Sequence, residues 1–120
     1  MASIFTVISS VSRTFVQAAT FTKEWDRLQL TNNDLRRLED ELLQNPQAGD
    51  VIPGTGSMRK LRFGIRNKGK RGSARVCYVD FPEKEKIVLF AIFMKNEIED
   101  LEQSEKNQLK EMIRILENTL

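Results

Sequence analysis

Apolar residues recur along this chain with two different periods, and each change of period marks an element boundary. Between Thr31 and Pro46, the positions Leu35, Leu38, Leu42 and Leu43 fall at i, i+3, i+7 and i+8, which lays one apolar stripe along a helix. Thr31 or Asn32 can cap its start, and Asn45-Pro46 ends it, because proline brings no amide hydrogen to continue the ladder. A shorter helix is predicted to begin near Lys23, capped by Thr20 or Thr22, with Trp25 and Leu28 at helical spacing. A last helix is predicted from Ser104, its cap, to Leu116, with Leu109, Met112, Ile113 and Leu116 on one face.

The remaining apolar runs read as strands. Thr14 to Ala18 forms a short one, and Met58 to Phe63, Ser73 to Phe81 and Lys86 to Met94 follow as an antiparallel meander. A Gly/Lys-rich turn and the run Pro82-Glu83-Lys84-Glu85 separate the last three. Alternation puts Leu61 and Phe63 on one face with Lys60 and Arg62 on the other, and sets Ala74, Val76 and Tyr78 against Arg75, Cys77 and Val79. Basic side chains should therefore share an open face. The predicted layout is β-α-α-β-β-β-α, a small α+β domain whose mainly antiparallel sheet has helices packed against it.

A length of 120 residues suits one compact domain, assigned to 13–120, with 1–12 as an extension that is either flexible or an added strand. That extension has no positive charge before its short apolar run, which argues against a secretory signal, and no apolar run approaches the length of a bilayer span. The single cysteine, Cys77, leaves no intramolecular disulfide or multi-cysteine zinc site, so a reducing cytoplasm fits. The chain has no histidine. Serine and cysteine nucleophiles activated by imidazole, histidine general bases and most catalytic zinc sites are thereby excluded.

The formal net charge of +2 conceals a strong segregation. From Val51 to Val79 there is no acidic residue, whereas Arg59, Lys60, Arg62, Arg66, Lys68, Lys70, Arg71 and Arg75 all fall there. After Met94 the balance reverses, with Glu97, Glu99, Asp100, Glu102, Glu105, Glu111 and Glu117 against Lys95, Lys106, Lys110 and Arg114. A basic middle segment suits a polyanionic partner. Gly54-Thr55-Gly56-Ser57 lacks the Gly-Lys-Ser/Thr ending of a phosphate loop and follows a loop rather than a strand, so it reads as a turn. Asn67-Lys68-Gly69-Lys70-Arg71-Gly72 is either a solvated hairpin turn or a flexible cationic approach to a polyanion.

Three blocks occur in order: Gly49 to Arg62, Gly69 to Tyr78, and Phe93-Met94-Lys95-Asn96-Glu97 with Asp100-Leu101. Together they resemble the HigB branch of the RelE/ParE toxin superfamily, and the resemblance runs from about Phe15 to the C-terminus. It implies a toxin of a type II toxin-antitoxin system: a ribosome-dependent messenger RNA endoribonuclease that needs no metal or other cofactor. In that reaction the ribose 2′-OH attacks the adjacent phosphate, so the protein's tasks are alignment, charge neutralisation and proton transfer.

By the same resemblance Lys60, Arg62 and Arg75 are the leading catalytic candidates, and Lys95 adds a fourth cation near the leaving group or the phosphate. Arginine keeps its proton, so Lys60 is the expected proton acceptor. Arg59, Arg66, Lys68, Lys70 and Arg71 are expected to grip RNA phosphates, and Phe93 to stack on a base. Relatives carry a tyrosine near the end of the last strand or beyond it. Phe93 and Leu101 stand at those positions here, and alternation turns the one tyrosine, Tyr78, toward the core. Implied partners are a HigA-like helix-turn-helix antitoxin, the decoding site of the ribosome, and operator DNA through the antitoxin complex alone. Two alternatives of other classes are a ParE-like gyrase inhibitor that cuts no RNA, and a plain RNA-binding module.

Overall fold

The computed structural model describes residues 12–67, 70–94 and 101–120, with backbone alone at 66, 67, 70 and 71. Five strands and three helices follow one another as β1 (Thr14–Gln17), α1 (Ala19–Arg27), α2 (Asn32–Gln44), β2 (Asp50–Val51), β3 (Arg59–Asn67), β4 (Lys70–Phe81), β5 (Lys86–Met94) and α3 (Gln103–Thr119), with a 3-10 turn at Pro82–Lys84. The strands lie side by side in the order β1-β5-β4-β3-β2, with β1 parallel to β5 and the other pairs antiparallel. The fold is thus α+β with a mainly antiparallel sheet, as predicted, with the two-residue β2 added at one edge. Among the described residues no helix is long and apolar enough to cross a membrane.

Alternation along β3 and β4 separates two cores. Leu61, Phe63 and Ile65 of β3 and Ala74, Val76 and Tyr78 of β4 are buried beneath α1 and α2, which contribute Phe21, Trp25, Leu38 and Leu42. Phe21 and Trp25 stack at 5.5 Å between ring centroids, and Trp25 meets Phe63 at 6.2 Å, a spacing at which aromatic pairs attract beyond their area burial. On the opposite face Cys77, Val79 and Phe81 pack with Val88, Phe90 and Met58 against Ile113 of α3. The face that alternation left open is therefore half roofed: α3 covers the end around Val79, and among the described residues no helix covers the end toward the β3–β4 hairpin.

Several boundaries differ from the sequence reading. Thr31 does cap α2, in a capping box with Asp34. Burial pushes the Asp34 carboxyl upward, but the hydrogen bonds from Thr31 and the contact with Arg37 outweigh it and hold this group below its ordinary range. Helix α1 starts at Ala19, earlier than predicted, and its N-cap Ala18 makes no side-chain cap. Thr20 instead donates its hydroxyl to the carbonyl of Phe90, 2.8 Å away, and Thr22 turns to Gln17. Helix α3 is capped by Glu102 in a box with Glu105 rather than by Ser104. The central hairpin is longer than expected, because Gly64 to Asn67 and Lys70 to Gly72 continue the ladder.

The loop between α2 and β3 is tied down from β4. The Tyr78 hydroxyl donates to the Pro46 carbonyl at 2.8 Å and accepts the Gly49 amide at 3.0 Å, while its ring lies in the first core. Beyond β2, Gly54 and Gly56 have φ of 86° and 87°, values that favour glycine, so this stretch is a turn. The buried Thr55 hydroxyl closes it on the Ile52 carbonyl at 2.7 Å. Tyr78→Phe should remove both hydrogen bonds and leave the Gly49 amide without its acceptor, at a cost of about 1–3 kcal/mol in urea denaturation. A loss below a few tenths of a kcal/mol would mean that the loop is held by other contacts.

Candidate nucleic-acid interface

The register of the central strands decides which candidate side chains meet. Lys60 lies opposite Cys77, Arg62 opposite Arg75, and Gly64 opposite Ser73. On the far side of β4, Cys77 faces Ala91 and Arg75 faces Phe93. Strands about 4.8 Å apart, with same-face residues about 6.7 Å apart along each strand, bring Lys60, Arg62, Arg75 and Phe93 onto one compact patch. Lys60 and Arg62 are exposed, and Arg75 and Phe93 are half-buried.

A shift of register brings Phe93 to this patch. Between Cys77 and Tyr78 the β4–β5 pairing slips by one residue, so Ala91 pairs with Cys77 and Leu89 with Tyr78, leaving Phe90 as an extra residue in β5. Ile87 and Leu89 before the bulge, and Ile92 after it, all enter the first core; Phe90, Ala91 and Phe93 pack toward the second. Uninterrupted alternation would have sent Phe93 to the core under α1 and α2. No signal in the sequence marks this bulge.

Electrostatically the patch is one-signed. Arg62 and Arg75 face each other directly, an arrangement that costs stability in a sheet. Neither they nor Lys60 forms an ion pair within 4.0 Å among the described residues, where the ion pairs are Arg13–Asp80 and those within single helices. Arg62 donates through Nε to the Ser73 hydroxyl at 3.0 Å, and Arg75 makes one long contact, 3.4 Å, to the Ala74 carbonyl. Ser73 was not anticipated from the sequence. Its position opposite Gly64, diagonal to Arg62, follows only once the hairpin register is known.

The other candidates are distributed differently. Arg59 points to the opposite face, where its Nη1 donates to the Gly49 carbonyl at 2.8 Å and more weakly to Gln47, so the structure binds it to the loop rather than to the patch. Arg66 pairs with Arg71, and Lys70 with Asn67, at the far end of the hairpin, which extends the basic strand segments beyond the patch. Lys68 and Lys95 lie outside the described residues. Tyr78, fully buried, has its hydroxyl pushed up by burial, with the Gly49 amide and Arg59 opposing that shift.

A cleft of about 890 Å³ adjoins the patch between the sheet and α3, with Lys60 at one side, Lys106 of α3 at another, and Cys77 and Phe93 in its lining. Burial pushes the Cys77 thiol up to about 11, against the opposing pull of Lys60. A neutral thiol is a poor nucleophile and a poor metal ligand. The patch can therefore bind and orient anions through the cations Lys60, Arg62 and Arg75.

The fold and site together define a small α+β protein with a cation-bearing sheet face beside a partly roofed cleft. No protein-family profile matches the sequence. Among solved structures, the chain is similar to a mutant of the E. coli toxin RelE in its free state, with 18% identity, coverage of 87% of this chain and 98% of the other, and a TM-score of 0.49. No residue role follows from a likeness at this distance.

Burial and the raised thiol together predict slow alkylation. Native Cys77 should react with iodoacetamide at pH 8 far more slowly than the same residue in the urea-unfolded chain, as followed by intact mass. Its native rate should stay low until the pH nears 11. Labelling at the rate of an unfolded thiol would show that the floor of the cleft opens freely.

Proposed function

We propose that this protein is a toxin of a type II toxin-antitoxin system, of the HigB type within the RelE superfamily, and that it cleaves messenger RNA on the ribosome. The observation that supports this best is the patch itself. Lys60, Arg62 and Arg75 share one face without acidic partners among the described residues, inside the blocks that resemble HigB toxins.

In this reading the RNA supplies the nucleophile. The 2′-oxygen forms a bond to phosphorus while the bond to the 5′-oxygen breaks, giving a cyclic phosphate and a free 5′-hydroxyl. Lys60, acting as its neutral amine, takes the 2′-hydroxyl proton and becomes the ammonium. Arg62 and Arg75 neutralise the charge that grows on the non-bridging oxygens, an effect whose loss typically costs about 10²–10³ in rate per donor. By the resemblance Lys95 is assigned to the leaving group or the phosphate, the 5′-oxygen takes its proton from a lysine ammonium or from water, and Phe93 offers a ring to a base beside the scissile bond. Arg66, Lys68, Lys70 and Arg71 hold flanking phosphates, which positions the strand without selecting its sequence. A HigA-like antitoxin silences the toxin and carries the complex to operator DNA, and the site of action is the cytoplasm.

Primer-extension mapping of a defined message in a purified translation system tests the reading. The wild-type chain should give discrete cuts that require ribosomes, and Lys60→Ala or Arg75→Ala should lower cleavage by about 10²–10³ while the melting temperature stays near wild type. An intact message alongside growth arrest would instead favour a gyrase inhibitor.

A further inference from the structure

Gly64 occupies the interior of β3, where nothing in the fold calls for glycine. A glycine there weakens a strand by about 0.5–1 kcal/mol relative to alanine. It usually marks a bulge, a sharp bend or a place where another chain or a ligand comes close. The pairing of β3 with β4 runs without a shift from Arg59 to Asn67, so there is no bulge. The positive-φ glycines are Gly54 and Gly56, so the backbone at Gly64 is open to any residue. A Cβ placed on it would meet nothing within 4 Å. Among the described residues, no neighbour uses the space that the missing side chain leaves.

That space opens on the cation patch, since Gly64 shares a face with Lys60 and Arg62. Its cross-strand neighbour on this face is Ser73, also small, and the Ser73 hydroxyl holds Nε of Arg62 at 3.0 Å. Holding Nε leaves the two terminal nitrogens of the guanidinium for an outside acceptor, the geometry in which arginine grips a phosphate through two parallel hydrogen bonds. Bare backbone next to an aimed arginine is a low saddle between taller side chains.

We propose that single-stranded RNA crosses the sheet over this saddle, with its sugar-phosphate backbone seated on Gly64 and Ser73 beside the phosphate gripped by Arg62. This rests on the RNA-cleaving reading and adds to it the path of the strand. Gly64 acts by admitting the RNA closely, and Ser73 is a positioning residue that aims Arg62.

Gly64→Ala, Gly64→Val, Ser73→Ala and Ser73→Thr test it, each measured for melting temperature and for single-turnover cleavage of a defined message on programmed ribosomes. Both Gly64 variants should melt at or above the wild-type temperature, because added side chains find open space and restrict the unfolded chain. Cleavage should nevertheless fall, modestly in Gly64→Ala and by about 10²-fold in Gly64→Val, the scale on which a displacement of an ångström or so acts. Ser73→Ala should slow the step by about tenfold with unchanged stability, and Ser73→Thr should restore it. A Gly64→Val variant that cleaves at the wild-type rate overturns the saddle. If wild-type protein itself leaves the message intact, the RNA-cleaving reading fails and takes the saddle with it.

Discussion

The extra residue in β5 at Phe90 is the constraint on which both faces of the sheet depend. A strand that serves two cores has to present apolar side chains to both, and a strict period of two lets each position serve only one. The bulge resets that period halfway along β5. Ile87 and Leu89 reach the core under α1 and α2, then Ile92 returns to it, while Val88, Phe90, Ala91 and Phe93 fill the space toward α3. Bulges break the ladder locally, and the groups they loosen need partners. Here the turn from β1 into α1 supplies them: the Ala18 amide donates to Leu89 and the Thr20 hydroxyl to Phe90. The start of α1 is thus fixed by the needs of β5, which explains why Thr20 does not cap its own helix.

The cation patch inherits its rigidity from this arrangement. Each of its members stands on a strand whose opposite face is buried: Leu61 and Phe63 flank Arg62 along β3, and Ala74 and Val76 flank Arg75 along β4. A side chain that must hold a reacting group within a fraction of an ångström is better placed on such a strand than on a loop. Facing two arginines across the ladder costs stability, and the aromatic cluster of Phe21, Trp25 and Phe63 beneath them stabilises the same hairpin from the other side. The loop that precedes β3 is held by Tyr78 and Arg59 together, so one buried tyrosine and one diverted cation fix the strand that carries Lys60.

Much of this was legible in the sequence, for identifiable reasons. Helix α2 announced itself through the i, i+3, i+7 leucines and the Thr31 cap, both local signals. The alternation of Leu61 and Phe63 with Lys60 and Arg62 gave the two faces of β3 directly. Other features were not legible, because they depend on partners distant in sequence. Arg59 could not be separated from its basic neighbours without knowing that Gly49 and Gln47 come within reach. The hairpin runs past Gly64 because Ser73 and Gly72 are there to pair with it, whereas the glycines by themselves read as a turn. Glu102 caps α3 although Ser is the commoner residue for that role, since the capping carboxylate gains from the positive end of the helix and from Glu105 returning the bond. The roof that α3 forms over half of the basic face could not be read from its stripe, which shows that the helix packs but not against which surface.

That roof shapes how a polyanion meets the protein. Helix α3 lies on the same side of the sheet as Lys60, Arg62 and Arg75, and its charges balance, Glu105, Glu111 and Glu117 against Lys106, Lys110 and Arg114. At physiological ionic strength charges act over about 8 Å, so the mixed charges of α3 largely cancel over the roofed half of the face, while Arg62 and Arg75 dominate the open half. A strand of phosphates drawn to this side is attracted to the hairpin and gains little from the helix. Of the eight cations that run without an acid from Val51 to Val79, Lys60, Arg62 and Arg75 become in three dimensions one basic surface beside a helix of balanced charge. The net charge of +2 conceals this local excess of cations, and it is the local excess that can orient a polyanion.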